Sequence, residues 1–390
     1  MSGARVLFAW ELGGNLGHVA PMLALAKQLR ERGHRCAFAM RDLSNALLLA
    51  KAGFGFFPAP GRPGAPKAGI YPSYAAMLSG EAFPSANAAL ASALAWRSLF
   101  RALRPDLLIV DHAPVALLAA RGMSFPVAAL GAPFGSPVTG RALPLFAKAA
   151  KEPEPEAVLL KRLNSALAAL RAPKLEGCAD LYQVGATMVR GLPETDCFAP
   201  RADEDYVGGL PADAGEARPA WPDAKGPKAL VYLRKGPWLE PVCDALAARK
   251  ASAVACVPGL DGRAAAKLAR PGLHVSAELC KFTELTRESD LVVCHGSHNT
   301  VTASLLEGKP LVMVPTYVEQ ALTSEKVVAA GAGSIPRKLD EQGIGKSLDA
   351  VAPGSSARRA AAKVAGRHAA KADSSAHVIR RIESLLSVQL

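Results

Sequence analysis

CHGSHNTVTASLLEGKPLVMVPTYVEQ, residues 294–320, decides the fold. The apolar run that leads into it, SDLVVC (289–294), has strand character, the next residues are small and polar, and an apolar-periodic segment begins near Val301. A strand that hands over to a helix in this way leaves unpaired backbone N–H groups and partial positive charge at the helix start, and both favour a bound phosphate. His295 at the strand end, Gly296 and Ser297 in the turn, and Asn299 and Thr300 as amide and hydroxyl donors complete such a cradle. Gly308 and Pro310 then end the helix and open a second strand, LVMVP, whose exit carries Glu319 and Gln320. An acid beside an amide suits the vicinal hydroxyls of a sugar. Ser, Asn and Thr caps occur in any α/β protein, so the spacing of these residues carries the reading rather than their types.

A second strand, glycine-rich turn, helix and strand lies at residues 4–40, ARVLFAWELGGNLGHVAPMLALAKQLRERGHRCAFAM. Met22, Leu25, Ala26 and Leu29 share one helical face, and Gly33 after the basic last turn is a natural helix stop. Gly13, Gly14 and Gly17 let the backbone turn tightly beside His18, at the carboxyl end of a strand where ligands of such folds bind. GGNLG lacks the spacing of a dinucleotide fingerprint, and no acidic ribose partner follows the next strand. The third informative run, RPDLLIVDHAPVALLAA (104–120), is a strand ending at Asp111 followed by a helical pattern. Taken alone, Asp111 reads as a helix cap and His112 as surface.

Together these three runs resemble the nucleotide-sugar-dependent glycosyltransferases of the glycosyltransferase-B (GT-B) fold, the superfamily of macrolide and flavonoid glycosyltransferases. Their donor signature is His-Gly-Gly-x-Gly-Thr or His-Cys-Gly-Trp-Asn-Ser, followed by Gly-x-Pro and Asp-Gln. His295, Asn299, Thr300, Gly308, Pro310 and Gln320 fall in register with it, and GHVAPMLALAKQLRERGH is similar to the family's first motif. The resemblance implies that His18 is the catalytic base and Asp111 its support. It implies that His295 and Thr300 contact the donor diphosphate, while Glu319 and Gln320 hold the sugar. The chemistry is coherent: an acceptor hydroxyl loses its proton as it attacks the anomeric carbon, neutral imidazole is a suitable base near pH 7, and a carboxylate on its second nitrogen fixes the tautomer. Direct attack opposite the diphosphate would invert the anomeric centre, and the His295 helix turn would neutralise the leaving group without a metal.

The sequence departs from the family pattern at several places. Ala303 stands where many uridine-diphosphate-sugar enzymes have a ribose-binding Glu, which leaves a thymidine diphosphate donor as open as a uridine one. Leu279 occupies the place of the aromatic that stacks on the base, with Phe282 as the available substitute. Arg234 and Lys235, beside Gly236 at the first turn of the C-terminal half, replace the family's Ser or Thr and would bring positive charge to the diphosphate.

A chain of 390 residues that is 50% hydrophobic exceeds one typical core. Alternating strand and helix patterns imply α/β architecture with parallel sheets: two Rossmann-like domains facing a cleft. The expected division is an acceptor-binding domain over 1–205, with Gly14 and Gly17 on the acceptor side, and a Pro- and Gly-rich linker over 206–226. A donor domain over 227–370 and a last helix, 371–390, crossing back to the first domain would follow. Residues 61–103 would line the acceptor cleft or pack as ordinary loop and helix. Seven cysteines without paired metal-ligand spacing read as reduced core thiols of a cytoplasmic protein. No signal-like leader and no run of about twenty apolar residues is evident. The net charge of +12 is read as a solvated basic surface rather than a nucleic-acid interface, with peripheral contact to anionic lipid as the alternative. The expected partners are a nucleotide sugar as co-substrate and a small-molecule or lipid acceptor, with no other cofactor. A sugar-nucleotide epimerase or hydrolase, or a non-catalytic relative, are the competing readings.

Overall fold

The computed structural model describes residues 3–13, 16–61, 71–146, 156–198, 201–202, 205–210 and 215–387. Gly14 therefore lies outside the described residues, as does part of the expected acceptor segment, 62–70. The chain divides into two compact units. Unit 1 comprises residues 1–190, 198–207 and 375–390, and unit 2 comprises residues 191–197 and 208–374.

Unit 1 is built on strands β1 (Arg5–Trp10), β2 (Arg35–Met40), β3 (Gly55–Pro58), β4 (Leu107–Asp111), β5 (Val127–Gly131) and β6 (Ala186–Val189). They form one parallel sheet in the order β3-β2-β1-β4-β5-β6. All five residues of β4, LLIVD, are buried, the continuous apolar run expected of a strand covered on both faces. Helix α1 (Leu16–Glu31) follows β1 and turns Met22, Leu25, Ala26 and Leu29 inward; Gly33, at φ 92°, ends it. The edge strands β3 and β6 were not legible in the sequence, because GFFP and ATMV are four residues long and carry no alternation. The last helix of the chain (Ser375–Ser387) belongs to unit 1 and packs against α1, with Arg32 paired to Glu383 at 3.4 Å.

Unit 2 repeats the topology with β7 (Lys228–Tyr232), β8 (Ser252–Cys256), β9 (Leu273–Ser276), β10 (Leu291–Cys294), β11 (Leu311–Met313) and β12 (Gly333–Ser334). The order is β12-β11-β10-β7-β8-β9, again all parallel. In each unit the sheet reverses direction beside its first strand, at β1/β4 and at β7/β10, and such a switch point opens a crevice at the carboxyl ends of the strands. Leu230, Val254, Val292 and Leu311 pack with Val301, Leu305 and Val327 on one face of this sheet. Ala229, Val231, Val293 and Val312 pack with Val242, Leu246, Ile344 and Leu348 on the other.

One expectation is overturned here. Cys256, at the end of β8, and Cys280, in the segment leading into the next helix, form a disulfide with a Cα–Cα separation of 6.4 Å. The chain doubles back after β9 and pairs 217 with 279–281 through backbone bonds, which brings Cys280 over the end of β8. Reading all seven cysteines as thiols missed this because a separation of 24 residues carries no pairing signal. Cys36, Cys243 and Cys294 remain thiols, and burial pushes their pKa values up to about 12, 11 and 12.

Candidate functional site

In unit 1, β1 and β4 end side by side with Trp10 in register with Asp111. Asp111 Oδ2 lies 2.9 Å from Nδ1 of His18, on the first turn of α1. Asp111 is almost fully buried. Burial alone would raise its pKa, but His18 and Arg190 outweigh it and hold the carboxyl below the ordinary range. An ionised carboxylate accepts only, so His18 donates from Nδ1, and in the neutral ring the lone pair is on Nε2. The imidazole stacks on Trp10 with centroids 5.1 Å apart, and Trp10 is fixed by its own Nε1–H bond to Leu12 O at 2.7 Å. Gly13, at φ 91°, keeps space beside Nε2, since a Cβ there would stand 2.5 Å from that nitrogen.

The surroundings of this pair were not legible in the sequence. Glu11, not Asp111, caps the helix after β4 (Pro114–Ala120), accepting from the N–H groups of Val115 and Ala116 at 2.8 and 2.7 Å. Burial pushes the Glu11 carboxyl up to about 8 against those two donors. His112 is buried rather than surface, at φ 49°, with Nε2 3.1 Å from Tyr74 Oη. Burial lowers its pKa to about 3. Tyr74 and Phe134 pack on its ring, and Tyr182 and Phe198 pack on Tyr74 in turn, so residues 73–78 of the expected acceptor segment serve as core here.

In unit 2, His295 and Arg234 follow the paired strand ends Cys294 and Tyr232. Both ring nitrogens of His295 are engaged within the unit: Nδ1 is 2.8 Å from Val314 O and Nε2 accepts the backbone N–H of Arg234 at 2.9 Å. The carbonyl requires a hydrogen on Nδ1 and the N–H requires a lone pair on Nε2, so the ring is neutral. Burial keeps it so, lowering its pKa with help from the Arg234 charge and against the Val314 bond. The Arg234 guanidinium lies over the ring of Tyr317 at 5.2 Å and donates to its Oη at 3.3 Å. Trp238 closes the group, donating to Arg234 O at 2.8 Å with its edge toward His295. Gly236 admits that indole, since a Cβ would meet it at 2.2 Å.

The helix α2 (His298–Leu306) carries Asn299 and Thr300 in its first turn. Ser297 sits at its N-cap but its side chain does not cap it; Ser297 Oγ instead accepts from Gln320 Nε2 at 3.0 Å. Gln320 is buried and its Oε1 accepts from Thr316 N and Thr316 Oγ1 at 2.8 and 2.9 Å. Glu319 and Gln320 thus lie in the first turn of a helix (Val318–Ala329) rather than at a strand exit, with Glu319 the more accessible. Gly296, at φ 82°, lies where a Cβ would meet Ser324 Oγ at 2.2 Å. Phe282 is turned onto Tyr232, 5.1 Å between centroids, and Leu279 O accepts from Ala217 N. Among the described residues no group of three His, Cys, Asp or Glu side chains is gathered to hold a metal ion, and no helix is long and apolar enough to cross a membrane.

Two parallel sheets of identical order, each with a polar cluster at its switch point, define the glycosyltransferase-B fold. Solved structures that share it over nearly their whole length include CalG4, the calicheamicin glycosyltransferase, with a TM-score of 0.74, 21% identity and 99% of each chain covered. The glycosyltransferase VinC in complex with dTDP gives a TM-score of 0.71 at 17% identity, over 98% of this chain and 99% of that one. In sequence, the chain is 24% identical over 397 aligned positions to a PGL/p-HBAD biosynthesis glycosyltransferase of Mycobacterium tuberculosis, covering 93% of this chain and 88% of the relative. No family model matches the chain.

Proposed function

We propose that this protein is a glycosyltransferase that moves a sugar from a nucleoside diphosphate, uridine or thymidine, to a hydroxyl of a small-molecule or lipid acceptor with inversion. The observation that carries the reading is the 2.9 Å contact of His18 Nδ1 with the buried Asp111 carboxylate, which leaves Nε2 as a base. As the acceptor oxygen bonds to the anomeric carbon, its proton passes to His18 Nε2. The bond from that carbon to the diphosphate oxygen breaks, and the electron pair leaves with the nucleoside diphosphate. Asp111 stabilises the imidazolium that forms.

On the donor side, the first turn of α2 with Asn299 and Thr300 offers donors to the diphosphate, and Arg234 supplies the charge. His295, with both ring nitrogens engaged, acts by fixing the turn that carries Arg234. Of the acid–amide pair Glu319 is the more accessible, and Gln320 is engaged by Thr316 and Ser297. The relatives are glycosyltransferases, one of which, VinC, was solved in complex with dTDP, and they support the same class of donor.

The test is thermal stabilisation by uridine, thymidine, guanosine and adenosine diphosphates, because a ligand that binds the native state stabilises it in proportion to affinity. A clear rise with uridine or thymidine diphosphate, and transfer that inverts the anomeric centre, is expected. No rise with any of the four, or a retained configuration, would overturn the reading.

A further inference from the structure

Arg190 follows β6 directly, two strands from β4 in the sheet. Its backbone N–H donates to Gly131 O at 2.8 Å, and its side chain crosses the end of β5 to reach Asp111. Gly131 makes that close packing possible, since a Cβ there would stand 2.4 Å from Asp111 Oδ1. Nη2 of Arg190 donates to Asp111 Oδ2 at 2.8 Å, the same oxygen that meets His18. Nη1 donates to Gly17 O at 3.2 Å. That carbonyl precedes Pro21 by one helical turn, and proline has no N–H to close the i→i−4 bond, so the guanidinium supplies the donor that Pro21 lacks. One planar fork thereby holds both the carboxylate behind His18 and the backbone immediately before it.

We infer that Arg190 is the positioning residue of the His18–Asp111 pair: it fixes both the carboxylate that orients the imidazole and the backbone that carries it. This rests on the reading of His18 as the base. The titratable and charged groups around the pair are Asp111 on β4, His112 just after it, Glu11 after β1, Arg41 after β2 and Arg190. Of these, Asp111 touches the imidazole directly and Arg190 touches the carboxylate oxygen that it shares. A carboxylate alone favours imidazolium, and a cation on that carboxylate opposes it. Removing the Arg190 charge therefore moves the protonation of His18 to higher pH.

The experiment is an NMR titration of the imidazole resonances of the full chain, with His18 assigned by its loss in His18→Asn. In Arg190→Met the His18 midpoint is expected to rise by about half to one pH unit. The acid limb of kcat/KM, measured with the donor that the nucleotide panel selects, should rise with it, and kcat should fall about tenfold or more. Arg190→Lys keeps the charge and should keep the midpoint close to that of the wild type, while losing rate because one amine cannot grip both oxygens. If Arg190→Met does not fold, Arg190→Gln, polar and uncharged, takes its place. A midpoint that stays or falls in the folded uncharged variant overturns the inference. A midpoint that rises while the kcat/KM limb stays fixed upholds Arg190 in its place and instead removes His18 from the role of base.

Discussion

The imidazole of His295 accepts the backbone N–H of Arg234 across 2.9 Å and is bonded on its other side to the carbonyl of Val314, so one neutral ring ties together the ends of β7, β10 and β11. Removing it in His295→Ala leaves a backbone donor and a carbonyl without their partner, at about 1–3 kcal/mol for each that stays buried. Thermal unfolding should therefore show a loss of about 2–6 kcal/mol together with weaker nucleotide binding.

Arg234→Met is expected to separate these effects. The side chain's own partner is the exposed Tyr317, so stability should hardly change, whereas nucleoside diphosphate affinity should fall about 10- to 100-fold through loss of a charge-assisted contact. Calorimetric titration of wild type and variant measures this directly, and equal affinities would remove Arg234 from the donor site.

His18→Ala should lower kcat by about 10²- to 10⁴-fold and leave donor affinity nearly unchanged, because a general base acts only as the proton moves. A collapse of donor affinity in the same variant would show that His18 holds the donor instead.

Gly131→Ala places a methyl group 2.4 Å from Asp111 Oδ1, against a carboxylate already held by Arg190 and His18. Overpacking of this kind costs about 1–3 kcal/mol. Since the atom displaced belongs to the proposed catalytic pair, activity should fall further than the unfolded fraction accounts for, as activity and denaturant titrations on one sample would show.

The pH dependence of stability should carry two opposed contributions. His112 titrates near 3 when folded and near 6.5 when unfolded, so the native state binds fewer protons between those values and loses stability as pH falls through them. Glu11 titrates near 8 when folded and near 4.5 when unfolded, so the native state binds more protons and loses stability as pH rises across that window. His112→Asn, a residue that tolerates the left-handed backbone at this position, should flatten the acid side. Glu11→Gln should flatten the neutral side. Urea unfolding from pH 4 to pH 8 reads both.

The sequence by itself determined most strands of the two parallel sheets, short edge strands such as β3 and β6 excepted, because continuous apolar runs ending in glycine-rich or small polar turns dictate strand, turn and helix locally. It also placed Asp111 at the end of a strand and His18 where the glycine-rich turn passes into the first helix, since each stands at the boundary of such a run. Tertiary structure alone decided which groups meet there. Arg190 and Asp111 are 79 residues apart, Arg234 and His295 are 61 apart, and Cys256 and Cys280 are 24 apart. Their contacts follow from strand order and register, which no local pattern encodes. The same holds for Gln320, whose sequence neighbourhood suggests a sugar contact, yet whose amide is consumed by Thr316 and Ser297 once the two loops close on it. A short polar side chain reads alike whether it faces a ligand or satisfies a buried loop, and only the three-dimensional tally of donors and acceptors tells the two apart.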